Sequence, residues 1–124
     1  MIESVSCANA PAAIGPYSQA VLHGNTLYIS GQLGFADGRS ELVEGIAGQA
    51  EQILKNINAI AKEKGSSINN AIKLTLYLTD LNHFSQVNEL MAEMLSEPYP
   101  ARATVEVSAL PKGALIEVEA VIAC

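Results

Sequence analysis

Arg102 is the side chain of this sequence best suited to grip an anion. The chain has two arginines, Arg39 and Arg102, and Arg102 stands between Ala101 and Ala103 in a run that alternates polar with small or apolar residues. A guanidinium held on a strand presents a planar fork that matches a carboxylate. The plainer alternative is an ion pair with Glu106 or Glu119. Glu117 and Glu119 share one face of a strand, opposite Ile116, Val118 and Ala120. Other catalytic residue types are poorly placed. His23 precedes a tight turn and His83 opens a helix, both reading as surface positions. Cys7 and Cys124 have no basic neighbour in sequence to lower a thiol pKa, form no C-x-x-C pair and read as two reduced thiols. Phosphate-binding, dinucleotide-binding and serine-nucleophile motifs are absent.

The elements that must carry these groups follow from periodicity. Gly15-Pro16 breaks regular structure, then Ser18–His23 and Thr26–Gln32 form two strands around a Gly24-Asn25 hairpin loop. Residues 34–45, with Asp37-Gly38, read as a loop that carries Arg39. Ile46, Ala50, Ile53, Leu54, Ile57 and Ile60 make a helical stripe closed by Gly65. Ile72, Leu74, Leu76 and Leu78 alternate with Lys73, Thr75, Tyr77 and Thr79 as a strand. Asp80 or Asn82 caps a second helix with the stripe Phe84, Val87, Leu90 or Met91, and Met94, which stops before Pro98.

Ala101–Ala109 and Leu115–Ala123 are the last two strands, joined through Leu110-Pro111-Lys112-Gly113. The order implies an α+β fold, one domain over residues 1–124, with two helices packed on one face of a mostly antiparallel sheet. Ala103, Val105 and Val107 are expected to meet the helices. Arg102, Thr104, Glu106 and Ser108 then share the second face with Lys73, Thr75 and Tyr77, and that face is either solvated or a subunit interface. If the last two strands form a hairpin, Arg102 lies opposite Val121 or Ile122. Glu117 then lies opposite Glu106 or Val107, about five positions or ~16 Å away. Cooperation between Arg102 and Glu117 would need a bulge or a second subunit.

Seven basic against thirteen acidic side chains give a net charge of −6. Such a chain has no electrostatic reason to bind a phosphate backbone, so nucleic acid is an improbable partner. No apolar run approaches the ~20 residues of a membrane helix, and the N-terminus lacks the pattern of a secretory signal. A soluble, cytoplasmic protein is expected.

Several segments together resemble one family. They are Ala10-Pro-Ala-Ala-Ile-Gly-Pro-Tyr-Ser-Gln-Ala20, Ser30-Gly31-Gln32, Pro100-Ala-Arg-Ala-Thr-Val-Glu-Val107, Leu110-Pro111-Lys112 and Ile116-Glu117-Val118-Glu119-Ala120. In order and near-matching spacing they resemble the RidA (YjgF) family of reactive intermediate deaminases, over essentially the whole chain. The resemblance implies a chorismate-mutase-like fold, a homotrimer whose sheets pack inward, and ligand clefts between subunits. It implies hydrolysis of reactive enamines and imines, such as 2-aminoacrylate or 2-iminobutanoate, to a 2-keto acid and ammonia, with no cofactor and no metal. Carried over residue by residue, it gives Arg102 the substrate carboxylate and Glu117 the acidic role, with Tyr17, Ser30 and Gly31 in the cleft. Thr104 stands where many members have cysteine; it is counted with the substrate-binding residues because its hydroxyl can still hydrogen-bond, while a thiol-dependent role is lost.

On that basis Arg102 would hold the carboxylate of an α-imino acid, with the Gly31 backbone N–H as a second donor. Glu117 would deprotonate the attacking water and return a proton to the departing ammonia. Tyr17 would close the pocket and Ser30 would hold a water. The plainer roles are a packed aromatic at a turn for Tyr17 and a backbone-bonded strand hydroxyl for Ser30. Two further functions fit the same scaffold: a trimeric, non-catalytic binder or sensor of small keto acids, and an endoribonuclease. The acidic charge and the lack of interleaved basic and aromatic residues argue against the latter.

Overall fold

The computed structural model describes residues 1–36 and 41–124, so Asp37-Gly38 and Arg39 lie outside the described residues. Its strands are β1 (Ile2–Val5), β2 (Ala20–His23), β3 (Thr26–Gln32), β4 (Ala71–Leu78), β5 (Ala101–Glu106) and β6 (Ile116–Ala123). Its helices are α1 (Ile46–Lys62) and α2 (Phe84–Met94), with short 3-10 turns at Ile68–Asn70, Leu81–His83 and Pro111–Gly113. The six strands form one sheet in the order β1-β2-β3-β6-β4-β5. Every pairing is antiparallel except β4 with β5.

Local chemistry accounts for most of these elements. The β2–β3 hairpin turns at Gly24, whose φ of 61° suits the first position of a two-residue loop. The helical stripe of α1 is buried throughout, with Ile53, Ile57 and Ile60 fully so. Each such side chain contributes about 1.5–3 kcal/mol by leaving water. The helix closes with Gly65 at φ 69°: its N–H bonds to Lys62 O and the Ser66 N–H to Ala61 O, satisfying two final carbonyls. Asp80 accepts from the Asn82 N–H and caps the 3-10 turn that leads into α2. Both helices cover one face of the sheet, where Leu74, Leu76, Leu78, Ile116, Val118, Ala120 and Ile122 form the core with α1, Val87 and Met91. Among the described residues, no helix is long and apolar enough to cross a membrane.

Three expectations are corrected. β5 and β6 are not a hairpin: β5 runs parallel beside β4, with α2 as the crossover, and β6 inserts between β3 and β4. Residues 107–115 therefore pass over the end of β4, where Val107 N–H bonds to Leu78 O and Thr79 N–H to Leu115 O. The faces of β5 are also the reverse of those expected. Its register sets Arg102 beside Leu74, Thr104 beside Leu76 and Glu106 beside Leu78, all on the helix side. Ala103 and Val105 join Thr75 and Tyr77 on the opposite face. Alternation defines two faces without saying which one a helix covers, and β5 lies at the sheet edge beyond most of the helical cover. Finally, a bulge between Ala71 and Lys73 takes Ile72 out of the core, leaving it 49% exposed.

Candidate active site

Glu117 stands on β6 directly opposite Tyr77, on the sheet face away from the helices. Its other flank is β3, where a bulge between Ile29 and Gln32 takes three steps against two on β6. That bulge contains Ser30 and Gly31. A Cβ on Gly31 would lie 2.8 Å from the Glu117 carboxyl carbon, so glycine is what lets the carboxylate rest against the β3 backbone. Partial burial holds the Glu117 pKa above its ordinary value, and the charge of Glu119 adds to the shift. A carboxyl so placed remains able to exchange protons at higher pH than a solvated one.

The segment leading into β2 is tied down by buried Gln19. Its Oε1 accepts from Cys7 N–H at 2.6 Å, and its Nε2 donates to the carbonyls of Cys7, Ala10 and Pro11. Ser30 Oγ donates to Ser18 O at 2.6 Å, the backbone-bonded role named above as its plainer alternative. Tyr17 Oη accepts from Ile14 N–H at 3.2 Å across the Gly15-Pro16 turn, and its ring is 52% exposed. Tyr17 is thus fixed at its tip and open on its face.

Arg102 forms no ion pair with Glu106 or Glu119. Glu106 accepts from Leu81 N–H, Glu119 from Tyr77 Oη, and Arg102 Nη1 donates to Asn88 Oδ1 at 2.6 Å. The guanidinium also lies over the Phe84 ring, 5.0 Å from its centroid. Phe84 and Asn88 are one helical turn apart on α2, so one helix face holds the fork while no carboxylate among the described residues occupies it. Arg102 opens on a hollow of about 410 Å³ lined by Asn88, Met91, Ala92, Tyr99 and Pro100. Thr104 Oγ1, two residues along on the same side, is covered and has no hydrogen-bond partner, as is His83 Nδ1. His83 is accordingly half-buried in the 3-10 turn rather than a surface side chain. Asn88 was not singled out in the sequence; its spacing of four from Phe84 is the signal that could have found it.

The structure therefore divides the candidate residues into two groups. Glu117, Gly31 and Ser30 gather at the β3–β6 seam, next to the Tyr17 turn. Arg102 and Thr104 lie with Asn88 at the β5–α2 edge. Arg102 is level with Leu74 and Ala120, two strands over and three residues along from Glu117, roughly 14 Å between backbone positions. Moreover, the two side chains leave opposite faces of the sheet. Cys7 is buried and Cys124 exposed, both as free thiols. Among the described residues, no three His, Cys, Asp or Glu side chains cluster in a way that could hold a metal.

Comparison with known proteins agrees with this architecture. The family model described as Endoribonuclease L-PSP matches residues 7–124. A human protein named 2-iminobutanoate/2-iminopropanoate deaminase is 49% identical over 118 residues, 94% of this chain and 86% of that one. The crystal structure of RidA from an Antarctic Psychrobacter superposes with a TM-score of 0.95 at 51% identity, covering 98% of this chain and 99% of the other. The structure of Escherichia coli TdcF with bound serine superposes with a TM-score of 0.92 at 34% identity, covering 98% of each.

Proposed function

The chain belongs to the Endoribonuclease L-PSP (RidA) family, and from that premise we propose that it hydrolyses small 2-imino acids, with their enamine tautomers, to 2-keto acids and ammonia. The observation that carries this reading is the Arg102 fork, held by Asn88 and Phe84 yet free of any carboxylate among the described residues. Such a fork suits the carboxylate of an imino acid. The 2-iminobutanoate/2-iminopropanoate deaminase named above is similar to this chain over 94% of its length. Serine, bound in the TdcF structure, is an amino acid with the carboxylate and nitrogen-bearing carbon that such a substrate also carries.

Glu117 and Arg102 leave opposite faces of one sheet, so the proposed assembly is a homotrimer in which each cleft takes Glu117, Gly31, Ser30 and Tyr17 from one subunit and Arg102 and Thr104 from the next. Arg102 binds the substrate carboxylate. In the cleft a water oxygen bonds to the carbon of the protonated C=N group, its proton passes to Glu117, and the π pair goes to nitrogen. Glu117 returns that proton to nitrogen, the C–N bond breaks with its electron pair on ammonia, and the remaining hydroxyl loses its proton to leave the keto acid. Proton transfer of this kind contributes ~10²–10⁴ in rate. The Gly31 N–H is the neighbouring polar group assigned to the ligand, and the covered, unpartnered Thr104 hydroxyl stands on the Arg102 side as a second candidate donor.

A coupled assay tests the reading: a serine or threonine dehydratase generates the imine and keto-acid formation is followed with and without this protein. Acceleration by the wild type, abolished in both Arg102→Ala and Glu117→Ala, is expected. Absence of acceleration with any imine, together with Arg102-dependent binding of keto acids, would replace the deaminase with a binder.

A further inference from the structure

On the face that carries Glu117, Tyr77 is the one directly opposing side chain from β4, and its phenol reaches past Glu117 to Glu119. Tyr77 Oη donates to Glu119 Oε1 at 2.5 Å. Glu119 pairs across the strands with Thr75, so without this bond an exposed carboxylate would have the solvent to move in. We propose that Tyr77 is a positioning residue for the reaction: it fastens the Glu119 carboxylate alongside Glu117 and so sets how readily Glu117 takes up and gives back a proton. This inference rests on the deaminase reading of the site.

The geometry makes the coupling short. Two residues apart on one strand face, Glu117 and Glu119 leave backbone positions about 7 Å from each other. At that distance a like charge disfavours ionisation, and a partly buried group feels it more than a solvated one. The raised Glu117 pKa follows burial first and Glu119 second, while Tyr77 is itself raised, first by its bond to Glu119. Within the chain the remaining neighbours do little to offset this; in the proposed trimer the Arg102 of the next subunit favours the Glu117 carboxylate, and it is present in every variant compared below. β3 contributes the uncharged Ser30 and Gly31, level with Glu119 and with the Gly31 backbone against the Glu117 side chain, and Tyr28 farther along opposite Val121. β5 contributes Ala103 and Val105, which carry no charge. Lys73 of β4 is level with Val121, four residues from Glu117, and His23 lies at the far end of β2.

The test follows both the acid limb of kcat/KM and the Glu117 carboxyl by carbon NMR titration, in the wild type, Tyr77→Phe, Glu119→Gln and the double variant. Glu119→Gln is expected to lower the Glu117 midpoint by about half a pH unit or more, the size of one like charge at this distance. Tyr77→Phe should lower it by less, because the released Glu119 keeps its charge but no longer its place. The double variant should match Glu119→Gln alone. An unchanged midpoint in a folded Tyr77→Phe protein would overturn the role of Tyr77, and an unchanged midpoint in Glu119→Gln would overturn the coupling itself. Lack of turnover in the wild type would defeat the deaminase reading instead, while the carboxyl titration would still decide whether Tyr77 acts on Glu117.

Discussion

Glu117 stands on a strand paired on both sides, by β3 and β4, whereas Arg102 stands on the outermost strand, paired on one side only. The carboxyl is packed against backbone at Gly31, with partial burial and a neighbouring charge shifting its proton affinity. The guanidinium is exposed and is oriented by two side chains of α2. In the proposed cleft, one half holds its chemistry rigidly in the middle of a sheet and the other offers an adaptable grip at a rim. Catalytic steps depend on placement within fractions of an ångström, while carboxylate capture tolerates more freedom. The two halves should therefore fail differently when altered.

The largest contrast is expected from Glu117→Gln, which keeps the shape and removes the proton exchange. Its kcat should fall by ~10²–10⁴ while keto-acid affinity by calorimetry changes by less than about twofold. Equal losses in both would erase the distinction between the two regions. The next effect is a restoration. Arg102→Ala and Glu117→Ala chains, each inactive, should regain about a quarter of wild-type activity when unfolded and refolded as an equal mixture. That fraction is the chance that an interface joins the intact half of one chain to the intact half of the other. No recovery in mixed assemblies would place both halves of a cleft in one subunit. Smaller again is Gly31→Ala, whose methyl would displace the Glu117 carboxyl and lower kcat by about tenfold, with the acid limb of the pH profile moved as well. Smallest is Asn88→Ala, expected to raise KM by about threefold through a less ordered Arg102, with the acid limb unmoved.

The sign of the wild-type acid limb follows from Glu117. The proposed reaction needs its carboxylate, and burial and Glu119 raise its pKa above the ordinary 4.5, so activity should decline on acidification from a higher pH than a solvated glutamate would give.

The same contrast separates what could be read in the sequence from what could not. β3 and the stripe of α1 were legible because strong periodicity coincided with glycine punctuation at Gly24 and Gly65. Glu117 and Glu119 were placed on their proper face, because Ile116, Val118 and Ala120 leave the core no other choice. Arg102 was placed on the wrong face, since the alternatives on β5 were alanines and valines as content beside Tyr77 as under a helix. Pairing was the harder problem. Sequence neighbours suggested a β5–β6 hairpin, and only the competition for the centre of the sheet, won by the more apolar β6, reveals the parallel arrangement. β1 escaped notice because Ile2-Glu3-Ser4-Val5 is short and largely exposed, a strand by virtue of β2 rather than by its own pattern.

The position of β6 has a consequence for how the molecule comes into being. β6, which follows the other described strands in the chain, occupies an interior slot, with β3 on one side and β4 on the other. Until it arrives, the earlier segments can form a three-stranded meander and a β4–α2–β5 unit, but no shared sheet. A nascent polypeptide would thus present Arg102 well before Glu117 and expose the edges of β3 and β4 while it waits. Closure by so distant a strand belongs with slow, non-local folding, and Glu117, the proposed proton carrier, is delivered by the same event that seals the sheet.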